Sequence, residues 1–230
     1  MIIVRDGPLH LVPFDALIDG AHHYLVESRI VTYAPSASSF LLLRSRPQGR
    51  GIAQGVLAVG GVEYDRSGPQ AANVVRGYNL DRLTNLPNSE EEARIATAVL
   101  PSPANKLLLG DRATEWAFKK GINHRIIHLA VHAVANEVYP DRSAVILLSD
   151  PAKGEDGFLQ ASEVVQLPLS AELVVLSACD TAVGPLEGQE GIANLSKAFL
   201  LAGARTVIST LWSLDDDTAL YVNVNFHIRP

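Results

Sequence analysis

Six short apolar runs punctuate the chain: Gly55–Gly60, Lys106–Leu109, Arg125–Val131, Ala144–Leu148, Leu173–Ser177 and Thr206–Leu211. Each is dense in Val, Ile and Leu, continuous rather than alternating, and bounded by Gly, Pro, Asn or Asp. Continuous runs of this length suit strands covered on both faces, as in a parallel sheet. Between them lie segments with helix signals. Ser36–Arg44 and Ser89–Leu100 each open on a serine cap, the second with acids in its first turn and Pro101 just past its end. Thr114–Lys120 stops at Gly121, and Gly191–Leu201 stops before Gly203. Strand and helix in alternation imply right-handed crossovers and predict a three-layer α/β sandwich with a mostly parallel central sheet.

The 230 residues suit a single domain spanning 1–230. With 47 % hydrophobic and 19 % charged residues, disordered and fibrous classes are excluded. Nineteen Lys and Arg against 25 Asp and Glu leave a net charge of −6, which argues against nucleic acid or an anionic membrane as partner. The longest apolar runs reach seven or eight residues, where a membrane span needs about 20. Met1–Val4 is followed at once by Arg5-Asp6-Gly7, too short an apolar stretch for a signal peptide. A soluble, cytoplasmic chain is expected. Met1–Pro35 reads as hairpin-like or edge pieces, while Gly61–Asn85 and Ala133–Ser143 lack apolar periodicity and should exchange their amide hydrogens fastest.

Two places carry chemistry. Leu173–Leu176 is a buried strand that leads through Ser177 and Ala178 to Cys179, the only cysteine of the chain. Ligands of open α/β sheets bind outside the carboxyl ends of the strands, so a nucleophile belongs there. A lone cysteine is also often a small buried hydrophobe. The second place is Ile126–Ala133, with His128 and His132, and His124 just before it. On a helix, histidines spaced four apart would resemble metal ligands. In a β-branched strand that spacing is about 13 Å, and the zinc reading fails. His128, inside the strand, reads as a hydrogen-bonded core residue. His132, at the strand's end, shares the carboxyl edge with Cys179, as a cysteine–histidine dyad requires.

These residues also carry a resemblance. The blocks H-L-A-V-H at His128–His132, V-V-L-S-A-C-D-T-A-V-G around Cys179, and L-W-S-L-D-D from Leu211 are similar to the CHAT domain family. So are D-G-P-L-H-L-V-P-F-D-A-L near the start and L-P-N-S-E-E-E-A-R-I-A from Leu86. The likeness runs from Ile3 to about Ala219, and the 47 residues from His132 to Cys179 match the caspase interval of about 50. The family is one of caspase-like cysteine peptidase domains found beside tetratricopeptide repeats. The resemblance implies a caspase-like fold, Cys179 as nucleophile, His132 as its base, and an oxyanion hole of the backbone N–H groups of Ala133 and Cys179. It implies neither metal nor organic cofactor, and as partners a protein or peptide substrate, a tetratricopeptide-repeat region or a regulatory protein.

The chain departs from the family's pattern at three points. Glycine normally follows the histidine, and Ala133 stands there; at a positive φ its methyl would cost about 1–2 kcal/mol. The neighbouring repeats are absent from this sequence. Leu220–Pro230 does not read as the amphipathic helix expected after the L-W-S-L-D-D block, so the domain is expected to be truncated or altered at both ends.

The reading is therefore a cysteine endopeptidase with a His132–Cys179 dyad; a catalytically silent protease-like interaction or signalling module is the alternative. An amidotransferase or esterase would want a glycine-flanked nucleophile elbow, which Ser177–Thr181 lacks. Gly184, Gly188 and Gly191 form no phosphate-binding fingerprint. Asp215, Asp216 and Asp217 beside Trp212, with Asp180, Glu187 and Glu190 near the nucleophile, would make the cleft negative. That field suits cleavage after a basic residue, Arg ahead of Lys. The same acids also suit helix capping. In the folded protein the side chains of His132 and Cys179 are expected about 4–7 Å apart, with His128 buried and turned away.

Overall fold

A computed structural model of the chain describes residues 1–5, 9, 12–45, 53–64, 83–136, 139–177, 188–210 and 214–228, with backbone alone at 188–193, 224, 227 and 228. Its contacts divide it into two compact units, Met1–Arg50 and Gly51–Pro230. In the first, β1 (Ile2–Val4) and β2 (Thr32–Ala34) pair in parallel, joined through the one-turn helix α1 (Leu25–Ser28). The expected hairpin is reduced to an antiparallel bridge between Ile18 and Tyr24. Between them His22 takes a φ of 63° and Asp19 accepts the Ala21 N–H. Helix α2 (Ala37–Ser45) follows, and Ser36 caps it as its sequence predicts, accepting the Ser39 N–H at 3.0 Å.

The second unit is built on five parallel strands in the order β10-β9-β5-β3-β4. They are β3 (Val56–Gly60), β4 (Lys106–Leu109), β5 (Ile126–Leu129), β9 (Leu173–Leu176) and β10 (Thr206–Ser209). β4 coincides with its apolar run, and the other four sit inside theirs, trimmed at their ends. On one face lie α3 (Ser89–Val99) and α7 (Asp216–Ile228); on the other lie α4 (Glu115–Gly121) and α6 (Gly188–Ala202). The α4 and α6 face is bulky, with Phe118 and Phe199 fully buried against Leu57, Ile127 and Val174. On the α3 face the cluster is smaller: Ala93 and Ala96 of the helix lie in it with Ala58, Val56 and Leu109 of the strands. Gly60 is required there: a Cβ on it would lie 2.1 Å from the Ser89 carbonyl oxygen. Helix α3 thus packs directly on the mouth of β3.

Four expectations are corrected. Ala144–Leu148 is not a strand of the central sheet. Its strand, β7 (Ala144–Ile146), is the middle of an antiparallel sheet β6-β7-β8 with β6 (Ala133–Val134) and β8 (Phe158–Gln160). This small sheet and α5 (Ala161–Val164) fill the crossover from β5 to β9. Second, the Ala133–Ser143 segment is packed at its two ends: Ala133, Val134, Ala135 and Asn136 are buried, and the buried Ser143 Oγ accepts the Asn136 N–H at 3.1 Å, while residues 139–142 are exposed. Third, Ser89 does not cap α3 but lies inside its first turn, where its Oγ donates to Leu86 O and accepts the Gly61 N–H. Fourth, the chain continues past the L-W-S-L-D-D block as the helix α7. Its inward positions are Ala219 and Asn223, while Tyr221, Val222 and Phe226 face outward. That inverts the amphipathic pattern and hides the helix from a hydropathy reading. Of Gly61–Asn85, residues 65–82 lie outside the described part.

One ionic hub ties the crossover together. Lys119 Nζ of α4 lies 2.7 Å from Glu115 Oε1, 2.6 Å from Glu155 Oε2 and 2.8 Å from Glu163 Oε1 on α5. Glu115 also accepts the Gly157 N–H at 2.8 Å. Burial pushes the Glu115 carboxyl up to about 7, and the neighbouring Glu163 charge acts in the same direction. The fold therefore holds this proton better than the unfolded chain, which releases it near 4.5. Stability from this group is present at acid pH and lost as pH rises from about 4.5 to 7. Chemical denaturation at the two ends of that window should show the loss, and Glu115→Gln should flatten it. Lys119→Met, which strands a buried carboxylate, should cost about 3–5 kcal/mol.

Candidate functional site

The strand order turns at β3, whose neighbours β4 and β5 follow it in sequence on opposite sides. The connection after β3 runs over the α3 face and the one after β5 over the other, which opens a crevice at their carboxyl ends. His132 lies there, three residues past the end of β5. Strands β5 and β9 are adjacent and in parallel register, with Leu129 level with Leu176. Cys179 is likewise three residues past Leu176 in the sequence. Cys179 itself lies outside the described residues, as do Asp180 and Trp212; of Glu190 only the backbone, in the first turn of α6, is described.

His132 is fully buried and held from several sides. Its ring Nε2 lies 2.7 Å from the Thr84 carbonyl oxygen. A carbonyl only accepts, so Nε2 carries the proton and Nδ1 is the basic nitrogen of the neutral ring. Its backbone N–H donates to the Tyr64 hydroxyl at 2.9 Å, and the Tyr64 and His132 ring centroids are 4.7 Å apart, tilted by 56°. Burial holds the imidazole below its ordinary value, against opposing contributions from the Thr84 carbonyl and the Asp216 carboxylate. The histidine is thus a neutral base at pH 7.

The peptide unit after His132 is oriented just as firmly. Ile146 N–H donates to His132 O at 2.8 Å, and Ala133 is paired with Val145 on β7. In an antiparallel ladder this makes Ala133 and Val145 a pair that exchanges no hydrogen bonds. The Ala133 N–H therefore points away from β7, along the outer edge of the small sheet. No described non-glycine residue other than His22 has a positive φ, so the alanine carries no left-handed strain. The Ala133 methyl is accommodated in extended backbone.

The acids divide by role. Asp215 caps α7, accepting from Thr218 N–H at 2.9 Å and Thr218 Oγ1 at 2.7 Å, which holds its carboxyl below the ordinary value. Asp216 Oδ2 accepts the Asn88 N–H at 2.7 Å, and Asp217 Oδ1 accepts from the Asn88 amide at 2.6 Å. These carboxylates are occupied in capping α7 and joining it to the start of α3. Asp216 alone also raises His132 electrostatically.

His124 and His128 are held by other partners. The His124 ring bonds the Gly121 and Ala104 carbonyls at 2.6 and 2.9 Å. His128 Nε2 meets Glu92 Oε1 of α3 at 2.7 Å, both groups buried. Among the described residues, the carboxylates close enough to share a cation are those of Glu115, Glu155 and Glu163. Lys119 already occupies their centre.

Three contributors escape a sequence reading. Thr84 acts through its carbonyl, which has no side-chain signature. Tyr64 stands in a polar stretch with no periodic pattern. Asn223 donates to Ser177 Oγ at 2.8 Å and so pins the chain two residues before Cys179. Only its place as the polar residue on the buried side of a helix would have flagged it.

An open parallel α/β sheet, sandwiched between helices, with a histidine at its switch point and the neighbouring strand leading to the single cysteine, is a caspase-like architecture. A family model described as "CHAT domain" matches residues 1–228, and the chain belongs to that family. It is 26% identical over 253 residues to "Tetratricopeptide repeat protein 28" of Mus musculus, and 25% identical to the Homo sapiens protein of the same name. Each match covers 92% of this chain, which spans about a tenth of the length of these relatives. Among the described residues no helix is long and apolar enough to cross a membrane.

Replacing Asp216 by Asn keeps an acceptor for the Asn88 N–H but removes the charge. The His132 pKa, followed by the NMR titration of its ring Cε1–H, should fall further below 6.5. An unchanged or raised value would remove Asp216 from the electrostatics of the site.

Proposed function

We propose that the chain is a cysteine endopeptidase working through a His132–Cys179 dyad. The observation that carries this reading is the register: Leu129 and Leu176 are level on adjacent parallel strands, and in the sequence a member of the dyad lies three residues past each. The Thr84 carbonyl supports it by keeping the His132 proton on Nε2. Nδ1 then takes the proton of the Cys179 thiol, and the thiolate attacks the scissile carbonyl carbon. The N–H groups of Ala133 and Cys179 stabilise the oxyanion, a donor class worth about 3–4 kcal/mol when one member is lost. His132 returns the proton to the departing amine, leaving a thioester. A water, deprotonated by His132, hydrolyses it and restores the thiol.

In this proposal one CHAT domain spans 1–230, and the substrate is a protein or peptide. A tetratricopeptide-repeat region, after the name of the relatives, is the proposed regulatory partner. Cleavage after a basic residue rests on Asp180, Glu190 and the field of Asp216, since Asp215 and Asp217 are engaged in helix contacts. The alternative, a silent interaction module, is favoured by one observation: His132 has no exposed surface.

A peptide library and a thiol probe decide between them. Because the chain has one cysteine, every covalent label reports Cys179. Turnover of a cleaved peptide should fall about 10²–10⁴-fold in His132→Ala, the contribution of a general base. Equal labelling of wild type and His132→Ala, with no peptide cleaved by either, would establish the silent module instead.

A further inference from the structure

We propose that Tyr64 is a positioning residue for His132, its hydroxyl fixing the histidine's backbone and its ring fixing the imidazole. The inference rests on the dyad reading above and deepens it.

It starts from a missing rung. Ala133 and Val145 exchange no hydrogen bonds, so the neighbouring pair, His132 and Ile146, should exchange two. Ile146 N–H does donate to His132 O at 2.8 Å. The return bond is not direct. His132 N–H donates to Tyr64 Oη at 2.9 Å, and Tyr64 Oη donates to Ile146 O at 3.2 Å. A phenol hydroxyl is inserted where a strand needs only its own carbonyl. Direct pairing would satisfy both backbone groups, so satisfaction of the ladder does not account for the insertion.

What the insertion adds is the ring. It brings the Tyr64 aromatic face to 4.7 Å from the imidazole, so the same side chain that holds the His132 amide also limits the rotation of its ring. The imidazole is left aimed at Thr84 O, 2.7 Å from Nε2. Tyr64 is itself tied to that acceptor's neighbour, its N–H donating to Asn85 Oδ1 at 2.9 Å. Backbone and ring of His132 therefore rest on one tie between residue 64 and residues 84–85. Burial raises the phenol's pKa, so its proton stays in place for Ile146 O across the working pH range.

The test uses the full chain and two variants. Tyr64→Phe removes one oxygen and keeps the ring; Asn85→Ala keeps the hydroxyl and releases the tie. The first readout is the ¹⁵N signature of the His132 imidazole, which separates the two tautomers. The second is the rate at which iodoacetamide alkylates Cys179 at pH 7. Wild type should show the Nε2–H tautomer alone. Tyr64→Phe should show a mixture and alkylate about 10–100-fold more slowly, the cost of a misplaced catalytic group. A Tyr64→Phe protein that folds and matches wild type in both readouts overturns the proposal. If Tyr64→Phe does not fold, Asn85→Ala decides by the same readouts: a mixed tautomer supports the proposal and a wild-type spectrum overturns it. His132→Ala alkylated as fast as wild type would defeat the dyad alone, because the tautomer signature judges Tyr64 without reference to Cys179.

Discussion

The contact between His128 and Glu92, 2.7 Å and wholly buried, fixes the alignment on which the site depends. Strands β3, β5 and β9 are apolar on both faces, so hydrophobicity alone resists a slip between them only weakly. His128 breaks that symmetry. Moving β5 by one residue would turn the imidazole from α3 toward the face packed with Phe118 and Phe199, where it would lose its carboxylate. A buried polar group without a partner costs a few kcal/mol, and Glu92 would be stranded as well. With β5 held, His132 emerges level with the strand that leads to Cys179. The histidine in the core, His128, thus fixes where His132 stands.

A second dependence runs through small side chains. Gly60, Ala58, Ala93 and Ala96 let α3 lie close on β3, and α7 then packs on α3. This brings the first turn of α7 to Asn88, where Asp216 receives the backbone N–H. The same placement puts the Asp216 charge within electrostatic reach of His132. Larger residues at these positions would lift α3 and carry Asp216 away with it. The other face needs no such economy, because its helices meet the sheet through Phe118, Phe199 and Leu195.

How much of this was legible follows from which forces write themselves into sequence. Two-face burial does, and Lys106–Leu109 was readable residue for residue. Caps do when a hydroxyl precedes a helix in the open, as Ser36 shows; Thr114, read as the first residue of its helix, is in fact the cap. Ser89 misled because its hydroxyl serves Leu86 and Gly61 at a crowded strand mouth. Helix α7 escaped because its buried side is marked by Asn223, a polar residue held by Ser177. The place of His132 just past a strand was legible from the sequence. Its surroundings were not: a carbonyl at Thr84 and a phenol at Tyr64 act across 48 and 68 residues with no local pattern.

Opposing forces at His132 give the site its chemical character. Burial disfavours the imidazolium, while the Thr84 carbonyl and the Asp216 carboxylate favour it, and burial dominates. The resting ring is therefore neutral, the state a general base must be in to accept a thiol proton. If His132 takes the Cys179 proton as proposed, the balance matters differently. An imidazolium in a dry pocket costs less if an acceptor and a negative charge are already oriented, because neither has to reorganise. Thr84 is oriented by its place beside Asn85, and Asp216 by the Asn88 N–H. A thiolate formed beside this ring would add the largest stabilising charge of all, and that charge exists only after the transfer. In the proposed mechanism burial thus keeps His132 uncharged at rest, and fixed dipoles lower the cost of charging it.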